Sequence, residues 1–277
     1  YNVNLIPFFI YYSMFGFQRV GDFIWAAADM RTRGFLIGGT AGKTTLSGEG
    51  LQHQDGHSHL MASAVPNIRA YDPAFSYEIA IIIHHGLKEM YEWQNDIIYY
   101  ITLENENYLH PPIKTDNKEG IIKGIYNIKV HSSNNTKPRV QLLASGPMVN
   151  EALEASKLLM NDWDIDASVW SVTSYSELHK EAEDVRRWNI LHPTSEPRKS
   201  FLETNIRKEN GPVIAISDYV KLVAEQILPY IKCPFVALGT DGFGRSDTRE
   251  NLRNFFEVNR YYIILYALDK LFVEGKV

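Results

Sequence analysis

Short apolar runs of strand character alternate with longer segments of helical spacing along this chain. That order limits the fold more than any single residue does. In the first half, Phe35-Leu36-Ile37, Asn67–Tyr71 and Ile97–Leu103 read as buried strands. Between them, Tyr11–Arg31 carries Phe15, Val20, Phe23, Ile24 and Ala27 at helical spacing, with Gly34 as a stop signal, which predicts a helix with one apolar face. Asp72-Pro73 reads as N-cap and first helical residue of a second helix, running through Phe75, Ile79, Ile82, Ile83 and Leu87 to about Trp93. Strand, helix and strand in this order build a parallel sheet covered on both faces.

The second half repeats the pattern. An edge strand is predicted over Ile121–Val130, with further strands at Val140–Ala144, Ser168–Val172, Val213–Ile216 and Phe235–Leu238. Helices are predicted over Met148–Trp163, Tyr175–Trp188, Ser200–Lys208, Asp218–Ile231 and Asn259–Glu274, and Asp247-Thr248-Arg249-Glu250 fits an N-cap with an acid three residues on. Between Glu104 and Gly120 the composition turns polar around Pro111-Pro112, as in an interdomain linker. The expected fold class is α/β, with two consecutive sheet-and-helix domains: 1–110, a linker at 111–120, and 121–277. A length of 277 residues accommodates two such cores.

Lys plus Arg number 28 against 33 Asp plus Glu, a net charge of -5, so there is no basic field to attract nucleic acid or an anionic membrane surface. Leu5–Tyr12 is far shorter than the roughly 20 residues that span a bilayer, so no membrane segment is expected. Cys233 is the lone cysteine, which excludes an intrachain disulfide and any multi-cysteine zinc site and makes the cytoplasm the default location. Opening on Tyr1 directly into an apolar run, the chain reads as a piece of something longer.

The chemistry is expected in Gly48–His59, where three histidines, two acids and three glycines fall within a dozen residues. His53, His57 and His59 invite a metal reading, but Gly50 and Gly56 argue against the helix that His-x-x-x-His ligation needs, and no His-Glu-x-x-His is present. Gly38-Gly39-Thr40-Ala41-Gly42-Lys43-Thr44 resembles a phosphate loop but misses its count: Gly38 and Gly42 enclose three residues, not four. Gly239–Ser246 could present amides to an anion, yet lacks the third glycine of the dinucleotide fingerprint; a tight turn is the favoured reading.

Three stretches together carry a specific resemblance: Tyr11-Tyr12-Ser13-Met14-Phe15-Gly16-Phe17-Gln18-Arg19, the loop Gly48–His59, and Leu238-Gly239-Thr240-Asp241-Gly242-Phe243-Gly244-Arg245-Ser246-Asp247. In this order, and over essentially the whole chain, the sequence resembles the single-chain homodimeric bacterial pyruvate dehydrogenases, the decarboxylating components of the pyruvate dehydrogenase complex. The resemblance implies a transketolase-like thiamine diphosphate-binding fold, the first domain being the later part of the pyrimidine-binding middle domain and incomplete at its N-terminus. It also implies thiamine diphosphate as cofactor, Mg held in an N-terminal domain lying outside this chain, pyruvate as substrate, and the lipoyl domain of dihydrolipoyl acetyltransferase as partner.

By the same resemblance, Phe15 stacks on the aminopyrimidine, Tyr12 and His53 face the substrate and its adduct, and Glu49 is the acid beside them. His57 and His59 have no firm match beyond shaping the loop. The readings that compete are transketolase-type ketol transfer, a non-catalytic truncated scaffold and, last, a nucleotide hydrolase.

Overall fold

The structure, a computed structural model, describes residues 5–113, 117–130, 137–207 and 210–277. Its first unit runs β1 (Phe8–Tyr12), a single 3-10 turn at Ser13–Phe15, α1 (Phe17–Asp29), β2 (Gly34–Ala41), α2 (Ser58–Ser63), β3 (Ile68–Tyr71), α3 (Ser76–Leu87) and β4 (Ile98–Glu104). The four strands are all parallel, in the order β1-β2-β4-β3. Phe35, Ile37, Tyr71, Ile82, Tyr99 and Ile101 pack one face; Phe17, Ile24, Ala62, Ile68 and Tyr100 pack the other.

The chain continues with α4 (Lys118–Lys123), whose Ile121 packs into the first sheet's core, and then the second unit, β5 (Tyr126–Lys129), β6 (Arg139–Ala144), α5 (Met148–Trp163), β7 (Asp166–Ser171), α6 (Tyr175–Leu191), α7 (Phe201–Asn205), β8 (Val213–Ile216), α8 (Leu222–Glu225), β9 (Phe235–Leu238), α9 (Arg249–Phe255) and α10 (Arg260–Val273). Its sheet runs β5-β7-β6-β8-β9, parallel except for the edge strand β5. No helix among the described residues is long and apolar enough to cross a membrane.

Several sequence expectations are corrected. Tyr11 and Tyr12 belong to β1, not to the following helix: α1 starts only at Phe17 and buries Phe17, Ile24 and Ala28, leaving Phe23 exposed. Asp72 caps nothing; α3 begins at Ser76, where the Glu78 carboxylate accepts from the backbone of Ala74 and Phe75. The expected strand at Ile121 is the end of α4, stopped by Gly124 at φ +107, and β5 starts five residues later than foreseen. Asp218–Ile231 contains only the four-residue α8 and a 3-10 turn at Leu228–Tyr230, because Asp218 and Tyr219 are drawn into the interior instead of continuing a surface helix. The cap of α9 is Thr248, one residue later than a Ser/Thr/Asp count from Asp247 suggests.

The two sheets meet by their strand carboxyl ends. From the first come Lys43–Thr45 after β2, Asp72 after β3 and Glu104 at the end of β4; from the second come Gly146, Thr173, Asp218 and Thr240. Backbone bonds stitch the seam: Asp72 N donates to Thr173 O (2.8 Å) and Gly146 N to Asp72 O (3.2 Å). Arg253 adds an ionic staple, pairing with Glu106 beyond β4 and, at 3.5 Å, with Glu151 on α5, whose carboxylate also takes three donors from Arg260 at 2.9 Å.

Asp72, Glu104 and Asp218 crowd into the same seam, Glu104 within hydrogen-bond reach of Asp72, and each has one buried oxygen that no N–H or hydroxyl donor reaches. Burial, with Asp72 and Asp218 nearby, pushes the Glu104 carboxyl well up; burial likewise raises Asp218 to about 7, against the hydrogen bond from Thr44 N and the charge of Arg253. The folded protein therefore holds protons here that an unfolded chain releases near pH 4.

Two tests follow from the seam. Burial opposes ionisation of Glu151, but Arg260 and then Arg253 outweigh it and hold the carboxyl below its usual range, so this contribution is present above about pH 4 and fades as pH falls through the lowered value. Glu151→Ala should cost about 1–3 kcal/mol in denaturant unfolding near neutrality by removing the partner of Arg260 and one of the two partners of Arg253. Asp218 carries the opposite sign: its proton-holding makes stability fall as pH rises from about 4 to 7. Asp218→Asn, which keeps an acceptor for Thr44, should flatten that fall when unfolding is titrated from pH 4 to 8; a profile parallel to the parent's would exclude Asp218 as its source.

Candidate functional site

Tyr12 ends β1, and the chain then turns through Ser13–Phe15 into α1, so Tyr12 and Phe15 stand at the carboxyl edge of the first sheet, where open α/β sheets bind their ligands. The glycine-rich loop after β2 brings His53 onto the same spot. The ring centroids form a triangle: Tyr12 to Phe15 is 5.7 Å, Tyr12 to His53 5.3 Å and Phe15 to His53 5.4 Å. Glu49 completes the group, its Oε2 2.9 Å from His53 Nδ1 in ion-pair contact but off the line of a hydrogen bond. With Nδ1 against Glu49, Nε2 is the ring nitrogen left to face a ligand. Tyr12 and Glu49 are about half exposed, at 49% and 50%, so the group opens outward. The Arg19 guanidinium sits over the Phe15 ring, 5.1 Å from its centroid.

Beneath this open face lies a buried polar lattice. Asp55 accepts from Ser13 Oγ, from Gln18 Nε2 at 2.7 Å and from the amides of His57 and Ser58 at 3.0 Å, tying the turn before α1 to the start of α2. Tyr100, reaching up from β4, donates to Ser58 Oγ at 2.8 Å and lies 3.1 Å from Ser13 Oγ. It can do so because residue 38 is glycine: a Cβ there would stand 2.7 Å from the Tyr100 hydroxyl. Ser13, Gln18 and Asp55 were not singled out from the sequence as site residues; they lie in the stretches that carry the resemblance, but only the fold shows that they share a carboxylate.

The remaining histidines go elsewhere. His59 is buried; Thr102 spends its single hydroxyl proton on Asp72 (2.8 Å), so His59 donates from Nε2 to Thr102 Oγ1 at 3.1 Å, and burial holds the imidazole neutral by lowering its pKa. His57 is half-buried and likewise pushed down, first by burial and then by the Lys43 charge. Neither ring joins the triangle. Among the described residues, no group of three or more His, Cys, Asp and Glu side chains is placed to hold a metal ion.

Lys43, the lysine of the near-miss phosphate loop, is 1% exposed. Its ammonium donates to the carbonyls of Thr240 and, at 2.5 Å, Gly242, and it lies 5.7 Å from the Phe256 ring centroid. The same lysine packs so closely under Gly56 that any side chain at that position would collide with it. It binds the second unit, not a phosphate. The Gly239–Ser246 segment serves this packing: a Cβ on Gly239 would approach Lys221 N within 2.7 Å, and Gly242 has φ +83.

Comparison with known proteins agrees with this architecture. The family model "Pyruvate dehydrogenase E1 component middle domain" matches residues 1–111, and "Transketolase-like TK C-terminal domain" matches residues 124–259. The pyruvate dehydrogenase E1 component of Cupriavidus necator is 53% identical over 277 residues, covering 100% of this chain and 31% of the relative. That of Pseudomonas aeruginosa is 53% identical over 278 residues, with the same two coverages. The chain thus spans about a third of the length of the curated relatives it matches. Among solved structures, a transketolase from Pichia stipitis superposes with a TM-score of 0.73 at 17% identity, covering 97% of this chain and 34% of the other, a likeness of fold. On 53% identity over the whole of this chain and two consecutive domain matches, this chain belongs to the family of bacterial pyruvate dehydrogenase E1 components.

Proposed function

We propose that this chain supplies the pyrimidine-side wall of a thiamine diphosphate site in an enzyme that oxidatively decarboxylates pyruvate and reductively acetylates a lipoyl group. The observation that carries the reading is the triangle of Tyr12, Phe15 and His53 with Glu49 at its rim. A flat apolar ring beside two hydrogen-bond donors suits a heterocycle flanked by a small keto acid. The bound cofactor supplies a nucleophilic carbon and an electron sink at the substrate carbonyl.

The residues of this chain then have separable tasks. Phe15 offers its face to the aminopyrimidine. Tyr12 and His53 donate to the pyruvate carboxylate and to the oxygen on which charge develops. Glu49 stands against the Nδ1 side of the His53 imidazole, which leaves Nε2 to give and take a proton. Asp55, through Ser13 and the α2 amides, fixes the two segments that carry these side chains.

On this reading the units divide within 111–120, and the diphosphate, with Mg, is bound by a further domain of the complete enzyme. The working unit is a cytoplasmic homodimer meeting the lipoyl domain of dihydrolipoyl acetyltransferase. The 47–53% identity of relatives named pyruvate dehydrogenase E1 component, against 17–19% to transketolases, supports acetyl transfer over ketol transfer.

In a full-length enzyme containing these residues, His53→Ala should lower turnover by about two to four orders of magnitude. Steady-state pyruvate oxidation and lipoyl acetylation read this, and an unaltered rate discards the role. Phe15→Ala should weaken thiamine diphosphate binding by roughly 1–3 kcal/mol through lost ring burial, measured by titration; an unmoved binding curve would make Phe15 ordinary core.

A further inference from the structure

Glu49 and His53 sit on a segment with few constraints of its own. Gly48 has φ +80 and no atom within 4 Å of where a Cβ would stand, and Leu51 and Gln52 are exposed. What fixes the segment lies at its two ends: Asp55 ties the far end to the first unit, and one short stretch of the second unit holds both ends. At the near end, Gly48 N donates to Asp247 O at 3.0 Å and its carbonyl accepts from Ser246 Oγ at 3.0 Å. At the far end, Gln54 is 2% exposed and pairs with both backbone groups of Arg245: Nε2 donates to the carbonyl at 2.7 Å and Oε1 accepts from the amide at 2.7 Å. Gly244 leaves room for this pairing, since a Cβ there would collide with Gln54 Oε1 and stand 2.9 Å from Gln54 Cβ.

Five residues, 49–53, are therefore bracketed by anchors on Arg245, Ser246 and Asp247. A side-chain amide that satisfies both polar groups of one backbone residue acts like a rung of a sheet, and burial makes each of its bonds costly to leave unmade. We propose that Gln54 is a positioning residue for the Glu49–His53 pair, and that through it the transketolase-like C-terminal unit sets the geometry of a site built on the other unit. The proposal rests on the functional reading above. It gives the second unit a part in substrate alignment, with Ser246 as the weaker of the two side-chain anchors.

The test uses the full-length enzyme. Gln54→Ala should lower kcat about 10–100-fold, the loss expected when a reacting group is displaced by about an ångström. The thiamine diphosphate titration should stay in place, because Phe15 is untouched, and amide hydrogen exchange should rise across 48–54. Ser246→Ala, on an exposed side chain, cannot empty the core and should move kcat and exchange in the same direction by less. Unchanged exchange at 48–54 in both variants overturns the clamp. Raised exchange with unaltered kcat overturns the positioning role. The exchange readout does not depend on His53 chemistry, so a silent His53→Ala would discard the functional reading separately.

Discussion

Everything in this molecule depends on two mainly parallel sheets meeting by the same ends. The carboxyl end of a parallel strand presents carbonyls and turning loops that no neighbour in the sheet satisfies. When two such ends face each other, water is squeezed out and each side must complete the other's polar groups. The seam does this with backbone bonds around Asp72, an arginine shared between Glu106 and Glu151, and a lysine taken out of solvent by carbonyls of the opposite unit. The cost is visible where three carboxyl groups crowd together: burial raises the Glu104 and Asp218 carboxyls, suppressing their charge instead of neutralising it.

That arrangement explains how the open candidate site can be both accessible and well placed. The rings of Tyr12, Phe15 and His53 project from a strand end, a single 3-10 turn and a loop, which alone would hold them loosely. Below them, Asp55 collects four donors from three different segments, and beside them the loop of Arg245–Asp247 holds both ends of the histidine segment. Rigidity is supplied from underneath and from the neighbouring unit, so none of the outward-facing side chains has to be buried to be oriented.

Much of the fold was legible in the sequence because strands of a parallel sheet are short, mostly apolar runs: Val140–Ala144 (interrupted only by Gln141), Val213–Ile216 and Phe235–Leu238 needed almost no adjustment. Errors arose where local pattern and tertiary demand diverged. Tyr11 and Tyr12 fit a helical spacing but are drafted into a parallel pairing with Gly38 and Gly39. Asp72-Pro73 has the chemistry of a helix start, yet Asp72 is consumed by Thr102 and the seam. At the site, the resemblance led to Tyr12, Phe15, Glu49 and His53, and the fold brings them together. The supporting roles of Lys43 and Gln54 were not legible because their partners lie about 190 to 200 positions away and are backbone groups, which leave no signature in residue type.

The first sheet ends on β1, whose outer side has no hydrogen-bonded neighbour among the described strands and whose Phe9 and Ile10 are 58% and 70% exposed. An unpaired strand that is also greasy is an adhesive border. Handled as a separate piece, this polypeptide has every physical reason to clump through that border, and lysines or a proline grafted along it are the natural remedy for keeping it dispersed.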